Sequence, residues 1–488
     1  MRGIGALSLA TALWLFCTTS EAIDLVKRTT PSVVSLQIAR RKVANPIERD
    51  NVRRGRKRDN YVLQDLDNQL SLYFCNITLG TPPQEIRSHI DTGSSDLWVN
   101  TPGSRICRRR LCEGGSYDRS ESSTDKTVSD DFDIQYVDGS YARGDYVTDT
   151  LGIGGVTLED FQFGVGTEST SGQGVLGIGY MTNEVQADRR GGNTYPNLPQ
   201  ALVDAGYINS NAYSLWLNDL EANTGEILFG GVNAAKFHGT LQTLPIIRGQ
   251  DGIYRELSIA MTGLALNDSG SIRQFGRRAF PIPALLDTGS TLTYLPGSIV
   301  EEIFDVFDVE YDENFGAGFI PCDWAESNAS LVFTFSEPSI AVEMNELVLD
   351  MGPYRFDDGT RACVFGIAPV DGHVPILGDT FLRSAYVVYD LDNNEISLAK
   401  TRFHAEGDEI LEIGTGRDSV PDATGVSAPV STAERTATGG GRLGGPTGTS
   451  DDVAPEPTSS SAAAIMLPDI SRGVAAGLVG AGVVFAAM

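Results

Sequence analysis

A chain of 488 residues is too long for one ordinary hydrophobic core, so two or more domain-sized units are expected. Its formal charge of −27, from 64 Asp and Glu against 37 Lys and Arg, opposes a nucleic-acid partner, because a polyanion is held by clustered cations. Six cysteines and four histidines fall in no Cys-x-x-Cys or His-rich cluster, so neither a metal nor another cofactor is expected.

From the N-terminus, Arg2, the apolar run ALSLATALWLFC and the small residues around TSEA have the order of a secretory signal peptide, residues 1–22, cut after Ala22. A membrane-spanning anchor is the alternative, and the run is short for a bilayer. Secretion removes Cys17 and leaves five cysteines in an oxidising compartment. The spacings suggest Cys107–Cys112, closing a small loop, and Cys322–Cys363, with Cys75 left inside a strand-like run as a buried small hydrophobe.

Residues 23–58 hold eleven Lys or Arg against three acids and end in RRGRKR before Asp59. Such a run suits a nuclear signal or a nucleic-acid tail; behind a secretory signal it reads as a basic propeptide, cut after Arg58 by a dibasic-specific processing protease. The rest of the chain keeps 25 bases against 60 acids, a formal charge of −35. A body so acidic should hold the propeptide electrostatically, as an intramolecular inhibitor; a solvated processing tail is the alternative.

The body, residues 59–402, reads as mainly β. Short apolar runs such as YFCNITLG, FDIQYVDGS and YVVYDLDNNEISLAK alternate with turns carrying Gly, Asn and Asp. Residues 403–463, rich in Thr, Ser, Gly, Pro and Ala from about 415 onward, are expected to form an extended stalk, since that composition buries too little apolar area to fold. Beyond Arg472 the uncharged GVAAGLVGAGVVFAAM closes the chain. Residues 464–488 fit a C-terminal signal exchanged for a glycosylphosphatidylinositol (GPI) anchor, attached among Ser459 to Ala463; a tail-type transmembrane helix is the alternative. Either reading puts the body at the cell surface, on the plasma membrane or in the cell wall. Asn76, Asn267 and Asn328 begin Asn-x-Ser/Thr acceptors for N-glycans, which exposure decides.

RSHIDTGSSDLWVN, residues 87–100, sets Asp91 between an apolar run and a Thr-Gly-Ser-Ser turn. A lone Asp-Thr-Gly is ordinary turn chemistry. IPALLDTGSTLTYLP, residues 282–296, repeats it around Asp287, and GVLGIGY (174–180) and VPILGDTF (374–381) follow the two copies. The body is therefore a duplication, with an N-terminal lobe over 59–240 and a C-terminal lobe over 241–402. Hydrolysing a peptide without metal or covalent intermediate needs one group to take a proton from water and another to give one to the amide. Two carboxyls about 3 Å apart do both, because like charges that close share a single proton. Asp91 and Asp287, one per lobe, are the natural pair, and their titration belongs to the pair.

With LGTPPQ at 79–84 and a flap-like YVDGS at 136–140, these motifs make the sequence resemble the pepsin-like aspartic endopeptidases over residues 70–402. The signal, propeptide and anchor-like tail look most like the fungal GPI-anchored, yapsin-type members. The resemblance implies an all-β, bilobal fold with the active-site cleft between two β lobes, acting as a monomer on polypeptide substrates. It implies that Thr92 and Thr288 cross-link the two loops, and that Gly93 and Gly289 make room for backbone N–H groups. Ser94 and Ser290 would add supporting hydrogen bonds. It places Tyr136, Asp138 and Gly139 in a substrate-covering hairpin supported by Trp98, with Val137 where the family usually has Gly. An acid at position 138 goes with acceptance of Lys or Arg beside the cut, a preference of about 1–3 kcal/mol from a charge-assisted hydrogen bond. His89 departs from the usual apolar choice; a cation there would lower the pKa values of the pair, and a neutral packed imidazole is the alternative. The loop CRRRLC (107–112) suits a solvated loop, a processing site or a substrate rim. The reading is a surface-tethered aspartic endopeptidase made as a zymogen. Its rivals are a catalytically silent binding protein on the same scaffold, which would lack an Asp, and a cell-wall surface protein, which would carry repetitive Ser/Thr display.

Overall fold

The computed structural model describes residues 31–42, 71–136, 140–188, 192–222, 224–313 and 315–434. The expected signal segment, the expected cleavage site at Arg58, the hairpin residues Asp138 and Gly139, and the expected anchor signal at the C-terminus lie outside them.

In the N-terminal lobe the strand Ser71–Leu79 sends Tyr73, Cys75, Ile77 and Leu79 into the main core and leaves Asn76 exposed on its other face. Period-two alternation produces that division. The strand pairs antiparallel with Gln84–Asp91, Phe74 opposite His89. The order continues through Gly174–Gly177, Leu97–Asn100, Val156–Ser169, Tyr141–Ile153 and Lys126–Gln135. Pairing of Thr78 with Gly152 and Leu79 with Leu151 then closes the run into a barrel-like wall, which leaves fewer open edges. The C-terminal lobe builds a five-stranded sheet around Ile282–Leu286 and two four-stranded sheets. Its helix Gly297–Phe307 buries Ile299, Val300, Ile303 and Phe307, a single stripe at helical spacing.

The duplication read in the sequence is a duplication of structure. Gln84–Asp91 runs parallel to Gly174–Gly177, which is antiparallel to Leu97–Asn100. Ile282–Leu286 likewise runs parallel to Ile376–Leu377, which is antiparallel to Thr293–Pro296. Glycine is needed where the third strand passes beneath each Asp loop. A Cβ on Gly177 would lie 2.4 Å from the Ser95 nitrogen, and one on Gly378 would lie 2.3 Å from the Leu292 oxygen.

The strands Ala212–Trp216, Thr224–Phe229, Phe237–Pro245, Ala385–Asp390 and Glu395–Thr401 continue the same 14-stranded sheet and join the lobes. Part of the basic segment is built into it. Val34–Lys42 lies between Thr224–Phe229 and Ser71–Leu79, antiparallel to both. Charge was expected to hold this segment, whereas strand pairing and apolar contact do so here. Val34, Leu36 and Ile38 are buried, worth about 2 kcal/mol each, and the Ser35 hydroxyl donates to Glu226.

Of the stalk expected over residues 403–463, the described part, through Glu434, stays on the body. Ile410–Glu412 pairs with Gly231–Asn233, and Ala423–Gly425 runs parallel to Leu241–Thr243. Ile413 and Val420 bury themselves against Trp216, Phe237, Leu241 and Tyr386. Composition averaged along the segment hides these few apolar residues, and the face that receives them is built by distant parts of the chain. Asn233 accepts from the Glu409 N–H and donates to Asp408, while the Lys236 ammonium sits 4.2 Å from the centre of the Trp216 ring.

Disulfides join Cys107 to Cys112 and Cys322 to Cys363. Cys75 is free and buried, and burial pushes its thiol up to about 12, which leaves it protonated and unreactive.

Candidate active site

Asp91 ends one apolar strand and Asp287 follows another, so burial of Ile90 and Leu286 carries both carboxyls into the protein at the strand ends. Only 3 % of Asp91 and 2 % of Asp287 is exposed. In so enclosed a place a carboxylate needs fixed donors. Each receives the same two. The Gly93 N–H donates to Asp91 Oδ1 at 2.8 Å and the Ser94 hydroxyl to Oδ2 at 2.6 Å. The Gly289 N–H donates to Asp287 Oδ1 at 2.8 Å and the Ser290 hydroxyl to Oδ2 at 2.9 Å.

The threonines tie the loops together with equal symmetry. The Thr92 hydroxyl donates to the Leu286 carbonyl and accepts from the Thr288 N–H. The Thr288 hydroxyl donates to the Ile90 carbonyl and accepts from the Thr92 N–H. Four hydrogen bonds between residues almost two hundred positions apart therefore set the separation of the two Asp loops. Gly93 touches both carboxyls, since a Cβ there would lie 2.7 Å from Asp287 Oδ1 while its own N–H holds Asp91. The two carboxyls therefore face one another across Gly93, one from each loop.

Trp98 donates from Nε1 to the Tyr136 hydroxyl at 2.8 Å, and both rings are buried in one cluster. The Tyr136 N–H donates to the Ser140 carbonyl, the backbone bond at the base of the hairpin. Asp138 and Gly139 lie between these two positions, outside the described residues. His89 is buried against Phe74, ring centres 5.6 Å apart, with Nε2 3.2 Å from the Thr288 carbonyl oxygen. Arg108, Arg109 and Arg110 of the Cys107–Cys112 loop are exposed, as a solvated loop requires. Asn76 and Asn328 are exposed and Asn267 is half-buried. Among the described residues no group of three His, Cys, Asp or Glu side chains is placed to hold a metal ion.

Asp96 is a residue that sequence reasoning passed over. It is fully buried and accepts from the hydroxyls of Tyr146 and Tyr195 and from the Val185 N–H. It thereby ties Val185 and Tyr195 to the end of the first Asp loop. Asn183 in the same region donates to the Gly93 carbonyl. The available signal was an acid inside the apolar run SSDLWV, where a buried charge demands partners.

The family model of eukaryotic aspartyl proteases matches residues 72–401. A probable aspartic-type endopeptidase OPSB of Arthroderma benhamiae is 52% identical over 504 aligned residues, covering 100% of both chains. A probable aspartic-type endopeptidase opsB of Aspergillus oryzae is 55% identical over 91% of each chain. The aspartic proteinase yapsin-3 of Saccharomyces cerevisiae is 35% identical over 73% of this chain and 69% of its own.

Proposed function

The chain belongs to the eukaryotic aspartyl protease family and is an aspartic-type endopeptidase, and we propose that Asp91 and Asp287 are the catalytic pair of a secreted, surface-anchored zymogen. One observation carries the assignment: two matched loops, each presenting a buried carboxyl held by a Gly N–H and a Ser hydroxyl, cross-bonded through Thr92 and Thr288.

The chemistry follows from one shared proton. A water held between the carboxyls gives a proton to the ionised one as its oxygen attacks the peptide carbonyl carbon. The protonated carboxyl gives its proton to the carbonyl oxygen, so charge does not build up on the tetrahedral intermediate. Collapse breaks the C–N bond: the proton taken from water goes to the departing amine, and one hydroxyl of the intermediate returns its proton to the carboxylate that had protonated the carbonyl oxygen, which restores the shared proton. Tyr136, braced by Trp98, belongs to the hairpin that covers the substrate. Asp138 gives the neighbouring pocket its preference for Lys or Arg.

Secretion is supported by the signal-like residues 1–22, and anchoring by the apolar tail behind a Ser/Thr/Pro-rich spacer. Activation by cleavage after Arg58 is supported by RRGRKR and by the seat of Val34–Lys42 in the sheet upstream of it. Exposed Asn76 and Asn328 are the favoured glycan acceptors.

Asp91→Asn and Asp287→Asn should each lower cleavage of a peptide library, profiled from pH 3 to 7 with and without a statine-type inhibitor, by at least about 1000-fold. Full activity in either variant overturns the pair. Cuts with no enrichment of Lys or Arg beside them remove the basic preference, and a mature N-terminus other than Asp59 removes the Arg58 site.

A further inference from the structure

We propose that His89 is a positioning residue for Asp287, acting through the single peptide unit that joins Thr288 to Gly289. The proposal rests on the catalytic pair assigned above. His89 lies on the strand that ends in Asp91, yet its Nε2 reaches across to the other lobe, 3.2 Å from the carbonyl oxygen of Thr288. A carbonyl oxygen only accepts, so the hydrogen sits on Nε2. That carbonyl belongs to the same amide whose N–H, on Gly289, donates to Asp287 Oδ1 at 2.8 Å.

The two ends of a peptide group are coupled by resonance. Donation to the oxygen draws the amide toward its charge-separated form and makes the N–H a stronger donor. His89 thus strengthens the bond that orients Asp287, and does so from within the N-terminal lobe.

Symmetry sharpens the point. The Thr, Gly and Ser hydrogen bonds of the two loops come in matched pairs, but the counterpart of His89, two residues before Asp287, is Leu285, whose side chain has no donor. The histidine therefore makes the two carboxyls unequal in a place where the duplication would leave them alike. A purely packed imidazole would be replaceable by any apolar side chain of similar size, and Leu285 shows that leucine suits the equivalent position.

The test compares donors with non-donors at position 89 in the full-length, activated protein. His89→Gln places an amide N–H about where Nε2 was, while His89→Leu and His89→Met fill the space without donating. The non-donors should lower kcat about ten-fold with KM unchanged and weaken a statine-type inhibitor by a similar factor, while His89→Gln stays within about threefold of the parent. Thermal unfolding of all three variants checks that they fold. Parental kcat in a folded non-donor variant, or equal losses in the Gln and Met variants, overturns the role. Failure of the pair itself reads out separately, as full activity in Asp287→Asn.

Discussion

Burial alone would raise the pKa of Asp149, but donation from the hydroxyls of Ser122, Thr124 and Tyr117 and from the Thr150 N–H holds its carboxyl below the usual carboxylate range. A group whose folded pKa is depressed contributes stability above its unfolded pKa, near 4, and loses it only as the pH falls through the lower folded value. Asp149→Asn leaves these donors with one acceptor oxygen in place of two. At pH 6 it should cost about 1–3 kcal/mol in urea unfolding, and the gap from the parent should narrow below pH 4. A gap that widens in acid would refute the sign. At this scale the two Asp loops were legible because Asp-Thr-Gly-Ser is contiguous and occurs twice. Asp96 was not, since the tyrosines that satisfy it stand 50 and 99 residues away in the chain.

Strands whose partners lie nearby in sequence, such as Ser71–Leu79 against Gln84–Asp91, follow from alternation and a short connection. The docked segment after Arg402 does not, because its partner surface is assembled from Ala212–Trp216, Phe237–Pro245 and Ala385–Asp390. In Val34–Lys42 the alternation of Val34, Leu36 and Ile38 is a clean strand signal, set within a segment whose composition is dominated by Lys and Arg. The docked segment is separable by truncation. Ending the chain after Glu434 keeps every described contact, whereas ending it after Arg402 strips Ile413 and Val420 from Trp216 and Tyr386. Losing two such side chains costs about 4 kcal/mol, so the shorter protein should melt roughly 5–10 °C lower while the longer one matches the full chain. Equal melting temperatures in calorimetry would show that the segment adds nothing to the body.

Taken as a whole, the chain beyond residue 58 carries a formal charge of −35, and a field of that sign acts on a substrate before any subsite does. Attraction over that range is screened by salt, with a Debye length of about 8 Å at physiological ionic strength and about 30 Å at 0.01 M. Steering raises the encounter rate and leaves the chemistry of bound substrate alone, so it belongs to kcat/KM and not to kcat. For a peptide with Lys or Arg beside the cut, kcat/KM at pH 6 should fall several-fold, roughly three- to tenfold, between 0.01 and 0.3 M salt, with kcat constant. An uncharged peptide of the same length should show no such fall. The effect must also fade in acid, because ordinary carboxylates titrate near pH 4 and the body loses most of its charge there. Asp390 and Glu395 give up their charge earlier than ordinary carboxylates: burial raises both, and for Glu395 the neighbouring Asp390 and Asp418 add to it. Salt dependence measured at pH 3.5 should therefore be weaker than at pH 6. The same dependence in charged and uncharged peptides would place the salt effect on the enzyme's conformation and refute steering.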